Sequence, residues 1–272
     1  MVLASEANSL LRAHRNDEAL AAGRLLLAAN PEDRPAVWIM ADAYRAKGQY
    51  EEALPYFLRC DEYNRQGLRG DPGVQDSISC LYWFMGDRPK AISIMRALVA
   101  GFLDGTYCYG DLAGAVTEGL LLYAMGVSAR DEGAIAFALK YLRNRVKRKA
   151  IRNWPGPVAR YYLGQLEFTD VLIAATGKPD VANAIWIAKT DLLKRRQLCA
   201  ALFHDGIKSR AEGFEDHCMF RMRECFSLED PIIESEWYLA RYEVEQAAEK
   251  ANGSEDANFV APALIPNPND GN

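Results

Sequence analysis

The stretch RPAVWIMADAYRAKGQYEEALPYFLRCDEYN, Arg34 to Asn64, decides the fold. It carries small or apolar residues at Val37, Met40, Ala41 and Tyr44, and beyond Gly48 at Tyr50, Ala53, Phe57 and Cys60. Intervals of three and four on both sides of a glycine are the pattern of two helices joined by a tight corner. Folded as an antiparallel hairpin, the stretch brings Ala41 and Ala53 to a close crossing, while Tyr44, Tyr50 and Phe57 fill the space beside the corner. One hairpin cannot bury its own apolar face, so the reading requires neighbours.

The neighbours are present. Val2 to Asn30 repeats the pattern at a distance of 34 residues, with Ala7 for Ala41, Leu10 for Tyr44, Ala19 for Ala53 and His14 in the place of the corner glycine. Asn30-Pro31 stops that unit, because the residue before a proline is pushed out of the α region. A third copy begins near Pro72 and carries Ile78, Ser79, Tyr82, Gly86, Ala91, Met95 and Leu98, with Pro89 in the first turn of its second helix. Its shift of phase is absorbed by a loop, Gln66 to Asp71. A weaker fourth hairpin runs from about Leu112 to Arg145, with Leu121, Leu122, Met125, Ala134, Ala138 and Tyr141 turned inward. Between them, Gly101 to Asp111 interrupts the array as a glycine-rich connector that lacks the spacing of a phosphate-binding loop. These positions resemble the tetratricopeptide (TPR) repeat. The resemblance implies an all-α, TPR-like α-solenoid of stacked antiparallel helix pairs.

Further on come Trp154-Pro155-Gly156-Pro157, then Tyr161-Tyr162-Leu163-Gly164, then Cys199 to Gly206. Gly206, Gly213, Cys218 and Cys225 occupy the small-residue positions of another unit, which closes at Asp230-Pro231. Ile232 to Lys250, with Trp237, Tyr238, Tyr242 and Val244, reads as a capping helix over the last repeat. Ala251 to Asn272 is rich in Asn, Pro, Asp and Gly and reads as a disordered tail, with Phe259-Val260 and Leu264-Ile265 as its anchors. From Trp154 to Glu245 this order resembles the C-terminal part of bacterial NlpI-type TPR adaptor lipoproteins. That resemblance implies a scaffold without catalytic residues, often homodimeric, that brings a protease or other enzyme to a protein client. The chain departs from it in lacking a lipoprotein signal and in placing His204-Asp205 where tyrosine and leucine are usual. The organisation expected is three hairpins over 1–100, a connector and basic-ended fourth pair over 101–153, a C-terminal TPR-like segment over 154–250, and a tail over 251–272.

Composition narrows the functional classes. A net charge of −5 argues against a protein that coats nucleic acid. The six cysteines include no C-x-x-C pair, so neither a disulfide framework nor a zinc ribbon is indicated, and reduced thiols fit a cytoplasmic setting. No apolar run reaches the roughly 18 residues a membrane helix needs, and Met1 to Glu6 lacks the basic start of a signal peptide. No membrane partner is expected. The dense basic run from Lys140 to Arg152 has no interleaved aromatics and reads as a solvated helix end favoured by the helix dipole.

Function therefore rests on the inner face. In a TPR array positions five, nine and twelve of each first helix line the concave side. Here they give Ala4, Asn8 and Leu11, then Trp38, Asp42 and Arg45, then Asp76, Cys80 and Trp83, with Tyr123 from the fourth pair. The lysine and asparagine clamp of co-chaperone TPRs is not reproduced. The expected partner is a protein or peptide segment, anchored on Trp38 and Trp83 and set in register by Arg12, Asp42, Arg45 and Asp76; either indole could instead pack on a neighbouring repeat. No cofactor, metal or catalytic residue is expected, and a homodimer is compatible with the aromatic last helix. The competing reading is a metal- or ligand-binding sensor or enzyme built on His204, Asp205, His217 and Cys218. Adjacent helical residues diverge by about 100°, so His204 and Asp205 are expected to form a partly exposed polar pair rather than face one ion.

Overall fold

A computed structural model describes residues 4–65, 72–107, 111–228 and 234–253. Helix α1 (Ala4–Arg12) pairs with α2 (Asn16–Ala29), α3 (Arg34–Ala46) with α4 (Tyr50–Arg65), and α5 (Pro72–Phe84) with α6 (Arg88–Asp104). A fourth pair is formed by α7 (Thr117–Ala129) and α8 (Glu132–Arg145). The second helix of each pair packs on the first helix of the next, α2 on α3, α4 on α5 and α6 on α7. No strand occurs among the described residues, and the chain is an all-α solenoid of stacked helix pairs.

Local chemistry explains the repeat. Ala7, Ala19, Ala41, Ala53, Ala91, Ala134 and Ala138 are fully buried, as residues at close crossings must be. The four corners use one backbone conformation, with φ of 55° at His14, 73° at Gly48, 86° at Gly86 and 56° at Arg130. Glycine enters this left-handed region freely. His14 and Arg130 adopt it at a steric cost because the hairpin leaves no alternative. Aspartates start three of the helices, α3, α6 and α8: Asp33, Asp87 and Asp131 accept hydrogen bonds from the amides of Ala36, Lys90 and Ala134 at 2.9, 3.1 and 2.8 Å.

After the fourth pair come three short helices, α9 (Gly156–Tyr162), α10 (Phe168–Thr176) and α11 (Val181–Ala188). Two long ones follow, α12 (Leu192–Ala211) and α13 (Glu215–Phe226), which form a fifth antiparallel pair. Gly206 permits their close approach, since a Cβ there would meet Arg221, Met222 and the Cys218 carbonyl at 3.1 to 3.2 Å. From Leu198 to Ile207 α12 is buried all round, the mark of a helix at the centre of a fold. The last helix, α14 (Ser235–Gly253), packs on α13 and α12 and also reaches back to α5.

Three expectations are corrected. Gly101 to Asp104 do not interrupt the array but finish α6. Arg145 is not part of a solvated helix end: it is fully buried, donates to the Phe102 carbonyl at 3.2 Å and lies 4.6 Å from the Tyr141 ring centroid. Only its neighbours Lys140, Arg143, Lys147, Arg148, Lys149 and Arg152 are exposed. The last helix covers the final repeat as expected, but it also lies against the third hairpin. The readings of Gln66 to Asp71, Cys108 to Gly110, Asp230-Pro231, Ile232-Ile233 and the tail from Ser254 lie outside the described residues.

The crossing gives a direct check on the packing. Replacing Ala53 by Leu overfills a site with no free volume and should cost about 2 kcal/mol, lowering the midpoint of a thermal melt by roughly 5 °C. An unchanged midpoint would mean that α3 and α4 do not meet closely there.

Candidate functional site

Trp38, Asp42 and Arg45 are spaced four and three apart on α3, as Asp76, Cys80 and Trp83 are on α5, so each set shares one helix face. In a stack of pairs these faces line up on the side of the first helices. That side is where α12 meets α7 and α14 meets α5.

Arg45 is the most engaged of the set. The residue is 3% exposed, and its guanidinium donates to Asp42 Oδ1 at 2.7 Å and to Ser77 Oγ at 3.2 Å and lies 4.5 Å from the ring centroid of Tyr238 on α14 and 5.2 Å from that of Phe57. Burial pushes the Asp42 carboxyl upward, against the pull of Arg45. Asp76 accepts from the Ser235 hydroxyl at 2.9 Å and from the Cys80 thiol at 3.6 Å. Burial drives its pKa up to about 7, assisted by the charge of Glu236. One turn further along α14, Arg241 donates to the Ala46 carbonyl at 2.9 Å and Tyr242 packs on Phe84 with centroids 5.4 Å apart.

Trp83 is 2% exposed and lies among Ala124, Met125, Phe203, Ile207 and Leu239. It packs within the chain's own core. Tyr123 is buried against Tyr162, with ring centroids 4.4 Å apart. At the other end of the stack Asn8 and Arg12 are exposed on α1. Trp38 is half-buried, its ring edge-on to Phe57 at 6.0 Å. Between these ends, Leu11, His14, Asn16, Asp42, Ala46, Trp237 and Tyr238 surround a recess of about 50 Å³. The structure thus gathers Asp42, Arg45, Asp76 and Trp83 under the C-terminal helices and leaves Asn8, Arg12 and Trp38 towards solvent.

The His204 region divides differently from a ligand cluster. His204 and Asp205 are buried, not partly exposed, because α12 is surrounded on all sides. The pair faces in two directions, and His204 Nε2 makes no hydrogen bond. His204 Nδ1 is 2.7 Å from the Tyr162 hydroxyl and its Nε2 is 3.4 Å from Glu236, whereas Asp205 accepts from the Tyr161 hydroxyl at 2.5 Å and from Arg221 at 2.7 Å. His217 approaches Asp205 at 3.3 Å, and Cys218 lies in the core with burial raising its thiol to about 12. A thiol so raised is a poor nucleophile and ligand at neutral pH. Among the described residues no group of three or more His, Cys, Asp or Glu could hold a metal. The Tyr161-Tyr162 pair facing His204-Asp205 was missed from sequence. The available signal was a buried helix carrying two polar residues, which demands partners.

Stacked pairs with this inner face define a helical-repeat protein. Residues 35–66, which span α3, its corner and α4, match the family model of the tetratricopeptide repeat, so the chain carries a TPR motif. No curated protein matches the chain. None of the described helices is long and apolar enough to cross a membrane.

The seam between α5 and α14 should register in the pH dependence of stability. The folded pKa of Asp76 lies above its ordinary value, so the stability tied to its neutral form is complete below pH 4 and is lost as the pH rises through about 7. Asp76→Asn should therefore melt higher than the wild type at pH 8, by about 2 kcal/mol or roughly 5 °C, with the difference closing towards pH 4. A constant difference across that range would contradict a protonated Asp76 at the seam.

Proposed function

We propose that the chain is a non-catalytic scaffold of the cytoplasm, comparable in role to the bacterial NlpI-type adaptors, that binds an extended or helical segment of a protein partner. The observation that carries this reading is the half-open inner face. Arg45, Asp76, Trp83 and Tyr123 are held by the chain's own helices, while Asn8, Arg12 and Trp38 present hydrogen-bonding, cationic and aromatic groups along the first two hairpins. An aromatic ring beside a cation and an amide is a combination enriched at binding hot spots. In this reading residues 1–100 supply recognition, Asp42 sets the register of the partner at the edge of the recess, and residues 154–250 close the stack behind it. The helical-repeat fold supports the reading, since such stacks present extended concave surfaces.

The test is capture of a partner from a lysate of the native host by the tagged protein, identified by mass spectrometry. Trp38→Ala should weaken that capture about 30-fold, the loss of roughly 2 kcal/mol expected of a hot-spot indole, with little change in melting temperature. Capture at wild-type strength would contradict the reading, and unfolding of the variant would assign the ring to the core.

A further inference from the structure

Away from the first two hairpins, α5, α7, the start of α12 and the start of α14 enclose a cleft of about 410 Å³. Among the described residues its polar lining is heavily acidic: Asp76, Asp111, Glu118, Glu234 and Glu236, against the single cation Arg196. Most of these carboxylates have duties. Asp111 accepts from the amides of Ala115, Val116 and Thr117 at 2.9, 2.5 and 2.8 Å and so already fills the N-terminus of α7. Glu236 meets His204, Glu234 pairs with Arg196, and Asp76 accepts from Ser235.

Glu118 is the exception. It lines the cleft from the first turn of α7, it is only 6% exposed, and its Oε2 accepts no hydrogen bond. A buried acceptor without a donor costs free energy. It marks a place where a donor belongs. An anion cannot supply it, because the neighbouring amides are taken and the surrounding carboxylates repel negative charge. Around Glu118 the cleft offers Trp154, Pro155, Pro72, Leu112, Leu193 and Ala200, an apolar wall with one indole. Such a wall suits a methylene chain, and an indole face attracts a cation.

We propose that this cleft binds an organic cation, an alkylammonium or alkylguanidinium group, with Glu118 as the acceptor of its N–H donors. Glu234 and Asp76 complete the charge and Trp154 covers the alkyl stem. Such a group arrives either as a free aliphatic amine or as the lysine or arginine side chain of a protein, and the chemistry at Glu118 is the same. The site stands apart from the partner surface at Asn8, Arg12 and Trp38, so either can fail while the other holds.

The protonation of the cleft agrees with this. Burial raises Glu118 to about 8, with Asp111 and Asp76 adding to the rise and Arg145 opposing it. Burial likewise raises Glu234 to about 7, with Glu236 adding and Arg196 opposing. At neutral pH the cleft holds protons in place of a cation. Binding of an amine displaces them, so the observed heat depends on the ionisation enthalpy of the buffer.

Isothermal titration of the full chain tests the assignment. The probes are 1,4-diaminobutane, spermidine and an acetylated, amidated Gly-Lys-Gly peptide, with neutral 1,4-butanediol as control. At least one amine should bind saturably with proton release at pH 7, and the diol should not bind. Preference for the free amines over the peptide would assign a small-molecule ligand, and the reverse would assign a protein side chain. Glu118→Gln, which keeps size and removes charge, should weaken binding by tenfold or more with an unchanged or higher melting temperature. If that variant fails to fold, Glu234→Gln should weaken binding in the same direction. Absence of binding by every amine, equal binding of the diol, or wild-type affinity in the folded variants would overturn the proposal.

Discussion

A guanidinium withdrawn from water must be paired, and the position of Arg45 imposes that requirement on three separate parts of the chain. Its hydrogen bonds run to Asp42 on its own helix and to Ser77 on the next hairpin, and its face lies on Tyr238 of the last helix. Removing one partner of a buried charge costs about 3–5 kcal/mol, far more than an exposed pair is worth. The side of α3 that would face a groove therefore depends on α14 lying beside it. Ser235 on Asp76, Arg241 on the Ala46 carbonyl and Tyr242 on Phe84 extend the same seam over about two turns of α14.

The same logic governs the centre of the molecule. Because α12 is enclosed on all sides, every polar group it carries inward needs a dedicated partner. His204 Nδ1 finds Tyr162, while its Nε2 lies 3.4 Å from Glu236 without a hydrogen bond; Asp205 finds Tyr161, Arg221 and His217. What looks in one dimension like a ligand cluster is in three dimensions two sets of structural hydrogen bonds. They bind α9 and α13 to the central helix, while Glu236 joins the start of α14 to it.

The repeat was legible because its determinants are local. Ala41 and Ala53 must be small where helices cross, and Gly48 must take a left-handed corner; each can be read within one hairpin. Even the substitution of His14 for the corner glycine was visible from the spacing of 34 residues. The inner face was legible only in part. Spacing puts Trp38, Asp42 and Arg45 on one helix face, but whether that face meets solvent depends on how tightly the stack curls, and that is set by contacts between residues nearly 200 apart, such as Arg241 with Ala46. Arg145 failed for a related reason: a basic run looks solvated until one member is turned inward to meet the Phe102 carbonyl. Tyr238 was legible only as part of a capping helix, and Glu118 carried no local signal at all.

The last helix belongs to the inner face rather than only to the end of the stack. Hydrogen exchange read by mass spectrometry in an Arg45→Met chain tests this most directly, since the change removes the charge that joins α3 to α14 and leaves α13 untouched. Faster exchange is expected across the amides of residues 235–250 together with those of α3. Exchange that quickens in α3 alone, with 235–250 as protected as in the unaltered chain, would contradict it.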